Sequence, residues 1–218
     1  MEIRWFGHSF FAVTTSTNVQ KDVKVFFDPF SEEIGLKTPK ELEADVVLVS
    51  HNHFDHNNVS LFQKVGIVLN TAGEYSVKGV DIKGILAYHD KSFGQERGAN
   101  IIFTLESEGI KVAHLGDLGH VPDDSQKKAL GQIDILFLPV GAKNAISLQE
   151  AMSIIKELSP KIIIPMHYKI PGLKLEIGGL EPFCKEIGTC PLEPQRKLVV
   201  KPSTLEGKEM EVVVLEQV

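Results

Sequence analysis

Most of the chemistry this chain can offer sits in six consecutive residues, His51-Asn52-His53-Phe54-Asp55-His56. Three imidazoles and a carboxylate in one short loop are nitrogen and oxygen ligands of the kind that bind Zn²⁺, Fe or Mn²⁺. At the end of a strand, residues i and i+2 point the same way, so His51 and His53 can converge on one ion. Asp55 and His56 lie past the turn and can face a second ion nearby. Zinc needs three or four ligands, so this loop begins two adjacent sites and completes neither. Three more ligand-type residues stand alone, each closing an apolar run. They are His89 after Ile85-Leu86-Ala87-Tyr88, Asp117 in Leu115-Gly116-Asp117-Leu118-Gly119, and His167 after Ile162-Ile163-Ile164-Pro165-Met166. The glycines beside Asp117 let the backbone pack tightly around a ligand. Convergence on one edge of a sheet would look like this, and loops at sheet edges are where function usually sits.

The elements that must position these residues are mostly strands. Phe10–Val13 and Val23–Phe27 are β-branched and aromatic runs, joined by a polar hairpin loop over Thr14–Asp22. Asp45–Ser50 is apolar on both faces, as in an inner strand of a covered sheet. Further strands are expected at Ile67–Leu69, Val80–Leu86, Asn100–Leu105, Lys111–Leu115, Ile135–Leu138 and Ile162–Pro165. A late hairpin is expected to join Lys197–Lys201 to Met210–Leu215 around Glu206-Gly207. Ser147 with Glu150 three residues later forms a capping box, and Ala151, Ile154, Ile155 and Leu158 follow at helical spacing. Other helices are expected from Asp123 or Asp124 to Leu130, and from Leu180 to Ile187. No linker divides the chain, so one domain over 1–218 is expected, of the α/β or α+β class.

Taken together, His51-x-His53-x-Asp55-His56, Gly116-Asp117 and His167 resemble the signature of metallo-β-lactamase-superfamily hydrolases. Trp5-Phe6-Gly7-His8-Ser9, Phe27-Asp28-Pro29-Phe30, Tyr88-His89 and Arg97-Gly98-Ala99-Asn100 resemble one branch of it. That branch contains ascorbate-6-phosphate lactonase and N-acyl phosphatidylethanolamine phospholipase D. The resemblance covers most of residues 1–170 and little of the last fifty. It implies an αββα sandwich of two mixed sheets with external helices and a metal site at one edge between the sheets. It also implies a pairing of ligands that spacing alone leaves open. One divalent ion takes His51, His53 and His89; the other takes Asp55, His56 and His167; Asp117 bridges them. The implied activity is hydrolysis of a small-molecule ester, lactone or phosphodiester by a hydroxide held between two zinc ions, with Mn or Fe as alternatives. Asp55 and Asp117 are then the catalytic carboxylates.

The pattern departs from the family at Leu118, where many relatives carry Thr; the change removes a hydroxyl that could orient Asp117. His8 and His114 are expected beside the metals as supporting residues, and His120 receives no role. Arg97, Lys143 and Lys169 are candidate contacts for an anionic substrate.

Composition narrows the partners. The chain has 218 residues and a net charge of −6, which argues against a phosphate backbone as main partner. An RNA-processing nuclease of the same fold is therefore an alternative that the charge disfavours. A di-iron redox protein is the other, and its usual fused flavin domain does not fit in this length. No apolar run approaches the ~20 residues of a membrane span, and the first residues lack a signal h-region, so a cytoplasmic location is expected. Cys184 and Cys190 are expected as two thiols in a reduced compartment, although their spacing permits a local bridge.

Overall fold

The computed structural model describes residues 1–191 and 193–218. Strands β1 (Glu2–Gly7), β2 (Phe10–Thr15), β3 (Val23–Phe27), β4 (Leu42–Leu48) and β5 (Phe62–Leu69) build one sheet in sequential order. The second sheet contains β6 (Gly73–Val77), β7 (Val80–Tyr88), β8 (Ala99–Ser107), β9 (Ile110–His114), β10 (Ile135–Pro139) and β11 (Ile162–Met166). Two short strands complete the edges. β12 (Leu198–Val199) pairs with β1, and β13 (Glu211–Val212) pairs with β11.

Alternation along the strands makes this a sandwich. In β4 and just beyond it, Val46 and Leu48 enter the layer between the sheets, while Val47 and Val49 pack on the opposite face. In β10, Ile135 and Phe137 face the other sheet, and Leu136 and Leu138 face outward. Three helices cover that outer face: α1 (Asp124–Leu130), α2 (Leu148–Leu158) and α3 (Glu181–Ile187). In α2, Ser147 and Glu150 form the expected capping box, and Ala151, Ile154 and Ile155 are buried. Each fully buried Ile contributes about 1.5–3 kcal/mol. The outer face of the first sheet has a different cover, with Phe30, Ile34, Leu36 and Leu173 from connecting segments packing on Phe10 and Phe26. No helix of the described residues is long and apolar enough to cross a membrane.

The expected late hairpin is corrected by the structure: β12 and β13 do not pair with each other but extend different sheets. Each finds an edge strand with unpaired backbone groups, so pairing outward satisfies more hydrogen bonds than a local turn would. The cysteines are also corrected, because Cys184 and Cys190 are joined in a disulfide with Cα atoms 5.2 Å apart. Gly188, in the left-handed conformation after α3, turns the chain back so that the two meet.

Strand direction places the functional edge. β1, β3 and β4 run the same way in the first sheet, and β7, β9, β10 and β11 do so in the second. His8, Asp28 and His51 follow the ends of β1, β3 and β4; His89, Asp117 and His167 follow the ends of β7, β9 and β11. Cross-sheet hydrogen bonds close this edge, from Ile101 N to Ser50 O at 2.8 Å and from His167 N to His8 O at 3.1 Å.

Candidate metal centre

Two groups of ligand atoms meet at that edge. His51, His53 and His89 form one, and Asp55, His56 and His167, joined by His8, form the other; within each, the donor atoms lie within 4.8 Å of one another. Asp117 stands between the groups. Its Oδ2 is 3.2 Å from His89 Nε2 and 3.6 Å from His56 Nε2, and its Oδ1 is 2.9 Å from His167 Nε2.

Several of these atoms are buried without a hydrogen-bond partner: His51 Nε2, His89 Nδ1 and His167 Nδ1, while Asp117 Oδ1 and His167 Nε2 have only their mutual 2.9 Å contact. A buried polar atom left unpaired is costly, and such a concentration at one point calls for a cation to satisfy it. The donor set of six imidazoles and two carboxylates fits divalent zinc, manganese or iron.

Electrostatics agree with that fit. Burial and the nearby His56 push His51 down to about 2, and burial with His167 pushes His8 down to about 3, so both rings are neutral and carry a lone pair. Burial opposes ionisation of Asp117 and Asp55, yet the surrounding histidines hold both carboxyls below their usual range. His56 is the exception. Burial alone would depress it, but Asp117, Asp28 and Asp55 push it up to about 9. Three carboxylates around one ring favour a positive charge there, a proton that an ion at this place would displace.

Behind the ligands lies a support that the sequence reading did not assign. Asp28 is buried; its Oδ2 accepts from His56 Nδ1 at 2.9 Å and from Ser50 Oγ at 2.6 Å, and its Oδ1 accepts from Ser50 N at 2.7 Å. Ser50 Oγ is in turn 2.9 Å from His51 Nδ1. One carboxylate therefore orients an imidazole of each group. The available signal was an Asp-Pro closing a strand, here with Asp28 at a φ of 45°.

Asp117 is oriented without the missing threonine. Asn100 Oδ1 accepts from Asp117 N at 3.0 Å, while Asn100 Nδ2 donates to Leu115 O at 2.9 Å. Leu118 is buried under the helices. His114 is not among the grouped ligands: its Nε2 donates to Ser9 O at 3.0 Å, and its Nδ1 accepts from Gly116 N at 3.1 Å. It ties the β1–β2 turn to the Gly116-Asp117 loop. Gly116 has a φ of 59°, and a Cβ there would lie 2.3 Å from Asn100 Oδ1 and 2.6 Å from Ser50 Cβ. The left-handed backbone alone costs a non-glycine residue about 1–2 kcal/mol. Gly116→Ala should therefore lower the melting temperature and the metal content together. Unchanged values for both would show that the loop relaxes freely.

The centre opens into a cleft of about 560 Å³. His53, His89, Asp55, Asp117 and His167 reach its floor, Phe54 and Ile177 give it apolar wall, and Arg97, Lys143 and Asn144 give it polar wall. Arg97 is carried by a loop wound around the Asp90 carboxylate, which accepts from the backbone N–H groups of Ser92, Gly94, Glu96 and Arg97 at 2.7–3.1 Å. Asp90 was not anticipated from the sequence. Lys169, expected as a substrate contact, instead donates its Nζ hydrogens to the carbonyls of Leu173 and Leu175 and does not line the cleft. His120 accepts from Tyr88 N at 3.2 Å and steadies the end of β7.

The beta-lactamase superfamily domain profile matches residues 2–167. The chain belongs to this family. Among relatives, a metal-dependent hydrolase of Methanobrevibacter smithii is 33% identical over 77% of this chain and 82% of its own length. Another, from Methanosphaera stadtmanae, is 31% identical over 86% of this chain and 91% of its own. Among solved structures, a proposed Zn-dependent hydrolase of the metallo-β-lactamase superfamily from Thermotoga maritima is 37% identical with a TM-score of 0.77, over 99% of this chain and 98% of its own. The two-sheet sandwich is thus the fold of the family, and the ligand-bearing edge falls inside the matched span.

Proposed function

We propose that this chain is a hydrolase working with two divalent metal ions, zinc in the first instance, on a small anionic ester, lactone or phosphodiester. The observation that carries the reading is the Asp117 carboxylate, buried between two separate groups of neutral and ionised donors. His51, His53 and His89 would hold one ion, Asp55, His56 and His167 the other, with Asp117 shared. Two bound ions would supply a water acidified to near neutral pKa and Lewis-acid polarisation of the scissile bond.

The chain's own residues do the rest. Asp28 and Ser50 keep His51 and His56 in the tautomers that present a lone pair to the centre. His53 and His89 of one group and Asp55 and His167 of the other reach the cleft floor, so a substrate would meet both groups there. Arg97 places positive charge on the cleft wall and would draw an anionic substrate toward the floor, while Lys143 on the same wall is balanced by Glu176, 3.7 Å away. Phe54 and Ile177 would cover its less polar part. The named hydrolase relatives support the reaction class.

A hydrolysis screen tests this reading. Metal-replete protein is set against bis-p-nitrophenyl phosphate, lactones and simple esters, with and without a chelator. Turnover of at least one class, lost on chelation and restored by metal, is the expected result. No turnover of any of the three would remove the proposal.

A further inference from the structure

We infer that His8 is itself a ligand, placed by the β1–β2 turn on the ion that Asp55, His56 and His167 would hold. This rests on the two-ion reading above and adds an asymmetry to it. The second position is closed by protein, and the His51–His53–His89 position is the open one.

His8 is wholly buried. Its Nε2 is 3.2 Å from Asp55 Oδ2 and 3.3 Å from His56 Nε2, and its ring centroid is 4.0 Å from that of His167. Two neighbouring donors on one five-coordinate zinc, each at its usual bond length, lie about 2.9–3.6 Å apart. The chemistry of the neighbours points the same way. Asp28 is a carboxylate acceptor, so His56 donates from Nδ1 and turns Nε2 toward the centre. His8 Nε2 therefore faces a carboxylate oxygen and an imidazole nitrogen at nearly equal distance. One ion, displacing the proton that His56 Nε2 holds without it, satisfies all three.

The backbone is built to hold the ring there. Gly7 and His8 have φ values of 102° and 54°, and the β1–β2 register shifts at this point. A left-handed histidine persists only where its surroundings over-determine it. Here Trp5 Nε1 donates to the His8 carbonyl at 2.9 Å, and His167 N donates to it at 3.1 Å.

The two positions then differ in kind. With Asp117 shared, the His8 position has five protein donors, and His8 and His56 are wholly buried. The other has three imidazoles and Asp117, with only His53 half-buried, and one protein donor fewer. Sites closed by protein ligands hold metal structurally, while catalytic sites keep an open position.

Zinc titration of metal-stripped full-length protein, in competition with a chromophoric chelator, should resolve one tight and one weaker ion. His8→Ala should weaken the tight ion by roughly 10–100-fold or more, the range seen even for residues behind the ligands, and leave the other in place. In cobalt-loaded protein the same change should alter the visible ligand-field spectrum. His8→Gln, which keeps an N–H donor, should fail to restore tight binding. Unchanged affinities in His8→Ala, or full restoration by Gln, would overturn the assignment and leave a hydrogen-bond role to Asp55. Should the variants fold poorly, a crystal structure of zinc-loaded wild-type protein decides: His8 Nε2 at about 2.1 Å from an ion supports the assignment, and a separation beyond hydrogen-bond range from both ions overturns it. Wild-type protein that binds no metal would instead defeat the hydrolase reading itself.

Discussion

Asp117→Ala should empty the centre and abolish hydrolysis while leaving the fold intact. Its carboxylate approaches His89 on one side and His56 and His167 on the other, whereas Asp28, which also reaches both groups, meets His56 through Nδ1 behind the centre. Removing it takes a ligand and a negative charge from both ions at once. The loss in activity should exceed the roughly 10–100-fold that follows from removing a partner behind a ligand. The backbone should tolerate the change, because the bond from residue 117 N to Asn100 Oδ1 does not involve the side chain. Circular dichroism and a thermal melt of metal-free protein would check the fold. A variant that keeps two tightly bound ions and the wild-type rate would take the shared role away from Asp117.

The second large effect is expected at Asp28, which touches no ion in this account. Asp28→Ala leaves Ser50 N and His56 Nδ1 buried and unpaired, and leaves Ser50 Oγ with His51 Nδ1 alone. Each orphaned donor costs about 1–3 kcal/mol, and a chain of this size loses about 2–4 °C in Tm for each kcal/mol. His51 and His56 would also lose their orientation, weakening metal binding by roughly 10–100-fold. Asp28→Asn separates these effects. Asparagine tolerates the left-handed backbone and keeps an acceptor for Ser50, so it should recover much of the stability and less of the metal affinity. If Asp28→Ala bound metal and melted like wild type, the support assigned to this carboxylate would be wrong.

The candidate ligands were legible because each has a local mark. His51 to His56 are adjacent in sequence, and His89, Asp117 and His167 each interrupt an apolar strand at its end. Asp28 carries a weaker mark, since its partners Ser50 and His56 come from the segment after β4, a strand that neighbours β3 only in the folded sheet. His8 was placed near the metals but read as support. Its approach to His56 and His167 depends on two left-handed residues in a turn, which no spacing rule reveals. The last fifty residues misled for a related reason: Leu198–Val199 and Glu211–Val212 read as a hairpin locally, but each pairs with a strand distant in sequence. Asp90 shows the same limit, because a lone Asp after His89 says nothing of the four N–H groups it gathers.

The central claim is that the edge holds two ions. Elemental analysis of the full-length protein, purified after metal-replete growth and dialysed against metal-free buffer without chelator, tests it most directly. The account expects close to two equivalents of zinc, manganese or iron per chain, falling toward one as the weaker ion is lost. Metal content near zero under those conditions would contradict it.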